Sequence, residues 1–484
     1  MPSPPHSRLQ ARRRKSARLA LYASFASVLA LTAAFIVWVR PAFEGSGATQ
    51  WARQDFSQHR EVELLREYIA IDTETFAGDQ LAGAEWVVRQ LEEMGLEPVV
   101  QRVGDEANVW AVVEGERPEA IVLHHHIDVD PVVHEESWVH PPFAATIDGP
   151  WLYGRGAFDM KSVAVAQLEA VRRLVERGKR PHWSVVVLAT TGEEIGSDLG
   201  TRWILRTQPE LVERFAVVLT EGGTVESTAP GVAHFWGTEV AQVLVVKVVV
   251  CDGSREAIAE LRKDVRALNP VGVPRRTPAI DRMMPDYARS RTLSRVRGDL
   301  GDLDALLRDP RRFRELSPYI RSLFVDRMVP QGMHESEGGG WELRITLLLL
   351  PGTDPDAALR ELLPPWLLHG FTVRVYDEGA ARRGSSPDHP VFEAIDRLVE
   401  ERYPEIVHGP LYLPHTVTDA RFFRDTGIST FGFSPFNVVT PDVLRTQLRG
   451  TVNERIALAG YVEGVELYRD LLERLVSDEI RRLD

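Results

Sequence analysis

The fold of this chain is decided by the stretch Ala120-Ile121-Val122-Leu123-His124-His125-His126-Ile127-Asp128-Val129-Asp130. Its four leading apolar residues have the composition of a buried strand. Side chains two apart on a strand point the same way, so His126 and Asp128 are expected together at the edge of a sheet. One of them can bind a metal while the other orients its ligand. On spacing alone, the three histidines fit a polar strand end equally well.

Length and composition indicate a globular chain with more than one domain. Its 484 residues are enough for two or three domains, and the hydrophobic fraction of 44% is ordinary. The net charge of −13 argues against a nucleic-acid partner. Cys251 is the only cysteine, which excludes an intrachain disulfide and a thiolate-rich metal site. Any metal must therefore be held by His, Asp and Glu.

The N-terminus predicts a membrane anchor. A basic segment at residues 1–18 precedes an uncharged run over residues 19–39. That run has roughly the 20 residues that a helix needs to span a bilayer. Positive charge before the span predicts a cytoplasmic N-terminus and a periplasmic, extracellular or lumenal remainder. The alternative is a cleaved signal peptide, whose apolar core is normally shorter. We expect an uncleaved transmembrane anchor followed by a linker at residues 40–55.

The pattern of apolar residues predicts an α/β fold with an inserted domain. From residue 56, strands alternate with helices, which indicates a sheet covered by helices on both faces. Two β-α-β units then indicate a small α+β (ferredoxin-like) domain. The predicted boundaries are 56–238 and 379–484 for the two parts of the larger domain and 239–378 for the insert. Residues 270–333 give no assignable pattern.

Three acidic stretches follow at the ends of strands or at loop exits. They contain Asp159, the pair Glu193-Glu194, and Glu221. Each has an ordinary alternative, namely a helix N-cap for Asp159, a solvated loop for the glutamate pair and a turn for Glu221. Together with His126 they lie on four successive segments at the edge where α/β sheets bind ligands. One imidazole with oxygen ligands suits a zinc or manganese hydrolase, and the second glutamate of the pair suits a general base or ligand.

Further motifs surround these residues along the chain. They are His126-Ile127-Asp128, Trp138, Pro142-Phe143, Asp148-Gly149, Tyr153-Gly154-Arg155-Gly156, Asp159-Met160-Lys161, Glu193-Glu194, Glu221-Gly222-Gly223, Thr418-Asp419-Ala420-Arg421 and Asn453-Glu454-Arg455-Ile456. In order and spacing they resemble the di-zinc aminoacylase/carboxypeptidase family, which includes carboxypeptidase S, glutamate carboxypeptidase and aminoacylase. The resemblance implies a catalytic α/β domain with an inserted lid domain that often forms homodimers.

The resemblance also implies the metal ligands. His126 and Glu221 would bind one zinc ion, Asp159 would bridge to a second, and Glu194 would bind the second.

Two further residues receive roles in catalysis from the same resemblance. Asp128 would hydrogen-bond His126 and fix its tautomer. Glu193 would take a proton from the attacking water and deliver it to the leaving amine. The expected activity is hydrolysis of an amide bond in a small peptide or an N-acyl amino acid.

Three positions depart from the pattern of this family. Arg449 stands where the last ligand histidine is expected, and a guanidinium stays protonated and cannot ligate a metal. The lid histidine is absent from Val250-Cys251-Asp252-Gly253-Ser254, and Leu348 replaces a lid arginine. These departures support an alternative hypothesis, in which the chain is a catalytically impaired relative that acts as a membrane-anchored binding or scaffold module.

The other histidines near these motifs receive simpler interpretations. His415 is a candidate replacement ligand, with an ordinary loop histidine as the alternative. His124 and His125 are expected to be neighbours of the metal site and not ligands.

Overall fold

The computed structural model describes residues 55–227, 233–268, 272–291, 293–336, 339–377, 384–439, 452–477, 480 and 482–483. The predicted basic segment, the predicted anchor at 19–39 and Arg449 lie outside these residues. None of the helices within the described ranges combines the length and apolar character that a membrane crossing requires.

Within the described ranges, strands and helices alternate in the first half of the chain, and six helices then follow one another over residues 255–322. The α-helices are α1 (Arg60–Ile69), α2 (Gln80–Glu93), α3 (Lys161–Glu176), α4 (Thr201–Thr207), α5 (Pro209–Val212), α6 (Arg255–Leu268), α7 (Pro278–Arg289), α8 (Ser294–Gly301), α9 (Leu303–Arg308), α10 (Pro310–Glu315), α11 (Pro318–Ser322), α12 (Pro355–Leu362), α13 (Pro390–Arg402), α14 (Ala420–Asp425) and α15 (Leu458–Leu475). The strands are β1 (Val99–Val103), β2 (Glu106–Val113), β3 (Arg117–His126), β4 (Thr146–Asp148), β5 (Trp151–Tyr153), β6 (Trp183–Thr190), β7 (Phe215–Thr220), β8 (Thr224–Ser227), β9 (Ala233–Gln242), β10 (Leu244–Gly253), β11 (Arg327–Glu335), β12 (Trp341–Leu349), β13 (Thr372–Asp377), β14 (Val407–Leu413), β15 (Ser429–Gly432), β16 (Asn437–Val439) and β17 (Arg455–Ala457).

One predicted helix and one unassigned segment differ from the structure for local reasons. The apolar residues of the second β-α-β unit predict one helix over 355–368, but the helix ends at Leu362, and a separate 3-10 helix covers Pro365–Leu368. Pro364 and Pro365 cause this break, because proline cannot donate the helical hydrogen bond. Residues 270–333, which gave no pattern, contain helices α7 to α11 and the start of β11. Most of these helices are a few residues long, too short for their apolar spacing to repeat.

A large mixed sheet carries the site. Its strand order is β1-β2-β6-β3-β7-β15-β9-β8-β16, with β14 beside β9. Strands β6, β3, β7 and β15 are parallel to one another. The register places His126 beside Thr190 and Gly432 beside Thr220, so the carboxyl ends of these strands meet at one edge. This is the edge where the sequence predicted a ligand.

Helices cover both faces of this sheet, as predicted. On one face, Ala120 and Val122 of β3 lie in a buried cluster with Ile204 of α4 and Phe423 of α14. On the other face, α3 packs against β3 and is itself covered by α15. Burial on both faces explains why β3 reads as a continuous apolar run instead of an alternating one.

A second, antiparallel sheet lies within the insert predicted at 239–378. Its order is β11-β12-β10-β13, and the chain sequence β10-α6-β11-β12-α12-β13 gives the topology of a ferredoxin-like sheet. Its core joins strand residues such as Val248 and Leu347 to Leu261 of α6 and Leu362 of α12. Helix α7, which precedes β11, packs instead against β9 and β14 of the large sheet. The domain boundaries at 239 and 378 stay predictions.

Candidate metal centre

His126 occupies the last position of β3 and is fully buried. Its Nδ1 hydrogen-bonds the backbone carbonyl of Asp128 at 2.8 Å. Its Nε2 lies 3.2 Å from Asp159 Oδ1 and 3.7 Å from Glu221 Oε1. Burial alone would lower the pKa of His126, but the bonds to Asp159 and Glu221 and the charge of Asp128 outweigh burial and raise it well above its usual value. Because the carbonyl fixes the proton on Nδ1, Nε2 is the nitrogen available to a metal.

The carboxylate of Asp128 has partners other than the predicted one. Its Oδ1 is 3.7 Å from His126 Nδ1, outside hydrogen-bond distance. Instead, Oδ1 accepts from the backbone N–H of Glu193 at 3.1 Å and Oδ2 from that of Glu194 at 3.0 Å. The predicted hydrogen bond between Asp128 and His126 is therefore present, but the backbone carbonyl of Asp128 makes it and not the carboxylate. Strand β3 ends at His126, so the two-residue alternation of a strand does not extend to Asp128.

Asp159 reaches the centre from the turn before α3. The N-cap of this helix is Met160, and no side chain caps it. The N-cap interpretation of Asp159 is therefore wrong, and its carboxylate faces His126 instead. Gly156 makes the turn possible, because its φ is +85° and a Cβ there would lie 2.9 Å from Val129 Cγ1.

The two glutamate segments complete the cluster. Glu193 and Glu194 lie in a 3-10 helix directly after β6, and Glu221 directly follows β7. Ligand atoms of His126, Glu193 and Glu221 lie within 4.8 Å of one another, and so do those of His126, Asp159 and Glu194. All these residues are buried except Glu194, which is half-buried. One imidazole nitrogen and several carboxylate oxygens on rigid strand ends fit a zinc or manganese ion.

The structure brings every predicted site residue together, but it does not distinguish which carboxylates are metal ligands and which one is the base. Glu193 lies within 4.8 Å of ligand atoms of both His126 and Glu221, which is close enough for a ligand as well as for a base. Its assignment as the base, and that of Asp159 as the bridging ligand, stay predictions.

The neighbouring histidines are structural, as expected. His124 contacts Thr190 and Thr220, each at 2.9 Å, and His125 contacts Gln167 of α3 at 2.9 Å. Burial lowers the pKa of His125 to about 4, so its ring is neutral at pH 7.

His415 does not replace the missing ligand. Its Nε2 lies 3.0 Å from Ser322 Oγ, and its Nδ1 accepts from Arg327 Nη1 at 3.0 Å. Neither group of candidate ligands in the described ranges includes it. The interpretation of His415 as an ordinary loop histidine is therefore preferred.

Arg327 also lies directly opposite Leu348 across the β11–β12 pair, beside the position where a lid arginine was expected.

Sequence reasoning assigned no role to Asp419, although it lies beneath the centre. Its Oδ2 accepts from Thr201 Oγ1 at 2.6 Å and is 3.6 Å from His124 Nε2. Ser197, three residues after Glu194, donates to its Oδ1. This buried carboxylate therefore joins the C-terminal part of the chain to the glutamate segment. The motif Thr418-Asp419-Ala420-Arg421 was its only signal in the sequence.

An α/β sheet with one imidazole and four carboxylates at its carboxyl edge is the architecture of a metal-dependent hydrolase. The sequence pattern of Peptidase family M20/M25/M40 matches residues 122–474. The chain belongs to this family, and the resemblance inferred from its motifs is confirmed.

Similar proteins support this membership over most of the chain. Aminoacylase-1A of Rattus norvegicus is 25% identical over 446 residues, which cover 87% of this chain and 96% of that enzyme. Succinyl-diaminopimelate desuccinylase of Alkalilimnicola ehrlichii is 38% identical, but over only 23% of this chain and 29% of that enzyme. An M20 family metallo-carboxypeptidase from Sulfolobus solfataricus shares the fold with a TM-score of 0.64 at 16% identity, covering 86% of this chain and 99% of that structure. Human carnosine dipeptidase 1 has a TM-score of 0.61 at 15% identity over 89% of this chain and 99% of its own.

Proposed function

We propose that this chain is a metal-dependent hydrolase that cleaves an amide bond in a small peptide or an N-acyl amino acid. The observation that carries the proposal is the convergence of His126, Asp159, Glu193, Glu194 and Glu221 within a buried cluster at one sheet edge. Membership of Peptidase family M20/M25/M40 and the similarity to aminoacylase-1A support this reaction class.

The residues that would hold the metal are His126, Asp159, Glu194 and Glu221, and the metal we propose is zinc, as one or two ions. When bound, zinc polarises the amide carbonyl and lowers the pKa of water. Nε2 of His126 offers the single nitrogen ligand, because Nδ1 is committed to the Asp128 carbonyl.

Glu193 would act as the general base. Asp128 holds the backbone at Glu193, so the position of this carboxylate at the cluster is set by a buried hydrogen bond. Glu193 would accept a proton from water and pass it to the amine that leaves. A correctly placed general acid–base group contributes roughly 10²–10⁴-fold to the rate.

The substrate would carry a free carboxylate beside the amide bond. Arg421 is only 3% exposed, and within the described ranges no carboxylate forms an ion pair with it. Its Nη1 donates to the carbonyl of Thr418 at 3.3 Å, and its Nε has no hydrogen-bond partner among the described residues. Burial of a cation without an anion is costly, so an anionic substrate group would stabilise it. N-acyl amino acids and peptides both provide such a carboxylate.

The experiment that tests this proposal uses the full chain loaded with zinc. N-acyl amino acids and dipeptides are offered, and release of the free amine is measured. The wild-type chain should hydrolyse members of one class, and Glu193→Gln should lose roughly 10²–10⁴-fold in kcat while retaining its metal. Glu401→Gln, at an exposed ion pair with Arg474, is the control and should keep full activity. A chain that binds zinc yet hydrolyses none of these compounds would refute the proposal.

The alternative, a catalytically impaired binding or scaffold module, is favoured by Arg449 and Leu348 at positions of expected functional residues. Metal content separates it from the hydrolase. Two metal ions per chain together with hydrolysis would exclude the impaired module, whereas one ion or none, without turnover, would favour it.

Membrane anchoring is a separate proposal that rests on the sequence of residues 1–39 alone. The full chain should sediment with membranes after cell fractionation and resist extraction by carbonate. Deletion of residues 1–40 should release the activity into the soluble fraction. A full chain found in the soluble fraction would contradict the anchor.

We also propose that the chain forms a homodimer through the inserted sheet. Strand β13 lies at the edge of that sheet and exposes Val375 and Tyr376, which are 46% and 50% accessible. Exposed apolar residues on an unpaired edge strand favour pairing with another chain. Light scattering should give twice the chain mass, and Val375→Lys should shift it towards the monomer.

A further inference from the structure

Glu454 is a buried carboxylate whose hydrogen bonds all go to the segment that carries Asp159. Its Oε1 accepts from the backbone N–H of Phe158 at 2.8 Å and from that of Asp159 at 3.1 Å. Its Oε2 accepts from Arg155 Nη1 at 2.8 Å. The side chains of Glu454 and Arg155 are each only 1% exposed. One carboxylate thus binds both ends of a single short segment.

The backbone strengthens the same connection. The carbonyl of Glu454 accepts from the N–H of Gly154 at 3.0 Å. Strand β17, which begins at Arg455, pairs with β5, so Arg455 lies beside Tyr153. The C-terminal segment therefore lies along the whole turn from Tyr153 to Asp159, although about 300 residues separate the two in the chain.

We infer that Glu454 is a positioning residue for the metal centre, which acts by holding the backbone of Asp159 so that its carboxylate faces His126. The inference rests on the metal site of the proposed function. Glu454 Oε1 accepts from the N–H groups of Phe158 and Asp159 together, so one oxygen fixes the backbone on both sides of the peptide bond that leads into Asp159. Without this carboxylate, the N–H groups of Phe158 and Asp159 lose this acceptor and the buried guanidinium of Arg155 loses its counter-ion and retains the carbonyl of Pro131, so the turn must rearrange.

The two oxygens of Glu454 contact different groups, so their effects on fold stability and on metal binding can be measured separately. Oε2 neutralises Arg155, which contributes to the stability of the fold. Oε1 sets the backbone at Asp159, which contributes to metal binding. A residue with a merely structural role would affect both properties in parallel.

The experiment compares Glu454→Gln with Arg155→Lys in the full chain. Zinc affinity is measured by titration against a competing chelator, and the unfolding midpoint is measured on the metal-free protein. Glu454→Gln keeps one acceptor oxygen, so its NH2 group must face either Arg155 or the two backbone N–H donors. Both arrangements place donor against donor and displace the segment, so zinc binding should weaken roughly 10- to 100-fold, the usual effect of disturbing a partner that orients a ligand. Arg155→Lys keeps a cation at Oε2 and leaves Oε1 on the backbone, so it should lower the midpoint while changing zinc affinity less than about threefold.

Controls and opposite outcomes keep the inference falsifiable. Glu401→Gln breaks an exposed pair with Arg474 and should change neither quantity. If Glu454→Gln fails to fold, Glu454→Asp, which keeps the charge but is one methylene shorter, should show the same loss of zinc affinity. Wild-type zinc affinity in both Glu454 variants, equal losses in the Glu454 and Arg155 variants, or a wild-type chain that binds no zinc would overturn the inference. A chain that binds zinc but cleaves no amide would refute the proposed function and leave this inference standing.

Discussion

Asp128 Oδ1 accepts a hydrogen bond from the backbone N–H of Glu193 at 3.1 Å, and this contact joins the end of β3 to the segment after β6. The second oxygen of Asp128 accepts from the next residue, Glu194, at 3.0 Å. One buried carboxylate therefore fixes both adjacent glutamates, while the backbone carbonyl of the same residue fixes the ring of His126. Asp128 organises the centre without facing it as a ligand.

Asp128→Asn should weaken both activity and metal binding. An amide offers one acceptor oxygen and turns its NH2 group towards one of the two backbone N–H donors. We expect zinc affinity and kcat/KM to fall roughly 10- to 100-fold, as for other partners that orient metal ligands. Chelator competition and amine release measure the two effects. Asp148→Asn, at an exposed residue near His140, is the matched control. Unchanged zinc affinity in Asp128→Asn would show that Glu193 and Glu194 keep their positions without the hydrogen bonds to Asp128.

Much of this centre could be predicted from the sequence, because its residues follow strands that are themselves recognisable. The apolar runs before His126 and Glu221 mark where β3 and β7 end, and parallel strands bring such ends together. The partner of Asp128 could not be predicted in the same way. Its position depends on the chain leaving β3 after His126, a feature that the two-residue pattern of a strand does not contain.

Contacts between distant parts of the chain were the other limit. Nothing in the local sequence of Arg327 indicates that it lies opposite Leu348 or that it donates to His415. Helix α7 does carry helical apolar spacing, at Ile280, Met283, Met284 and Tyr287, and sequence reasoning missed it, whereas α9 to α11 each make only one or two turns. Their positions are set by tertiary contacts and not by local periodicity.

Glu239→Gln should destabilise the fold more than any exposed change of the same kind. Glu239 forms two hydrogen bonds of 2.7 Å with Arg424, and the two side chains are at most 3% exposed. Removing the carboxylate leaves a buried guanidinium without its counter-ion, which costs about 3–5 kcal/mol. Urea denaturation of the metal-free chain measures the loss. Glu401→Gln, at an exposed pair, should leave the midpoint nearly unchanged, and an equal effect of both variants would contradict this account.

Because of Glu226, the stability of the fold should fall as the pH falls below 4.5. Burial would raise the pKa of Glu226, but His234 and Arg291 outweigh burial and hold it below its usual value of 4.5. Below pH 4.5 the unfolded chain therefore binds a proton that the folded chain does not, and stability falls as the pH falls towards the folded-state pKa. Above pH 4.5 the contribution is fully present. Glu226→Gln should lower the unfolding midpoint at pH 7 and narrow the difference between pH 7 and pH 4. Glu92→Gln, at an exposed helix position, is the control and should have the unfolding midpoint of the wild type at both pH values. A wild-type midpoint for Glu226→Gln at both pH values would show that this carboxylate does not stabilise the fold.

Arg449→His should increase the metal content of the chain. The sequence places Arg449 where the family has a ligand histidine, and a guanidinium offers no lone pair to a metal. A neutral imidazole at this position would add a nitrogen ligand to a second ion beside Glu194. Metal content after dialysis, measured by plasma mass spectrometry, should rise towards two zinc ions per chain. Arg449→Gln removes the same positive charge without supplying an imidazole. Comparing the two variants therefore separates metal ligation by the imidazole from the loss of repulsion between the guanidinium and a metal ion. Equal metal content in Arg449→His and Arg449→Gln would show that position 449 does not face the metal, and that this chain completes its centre in another way.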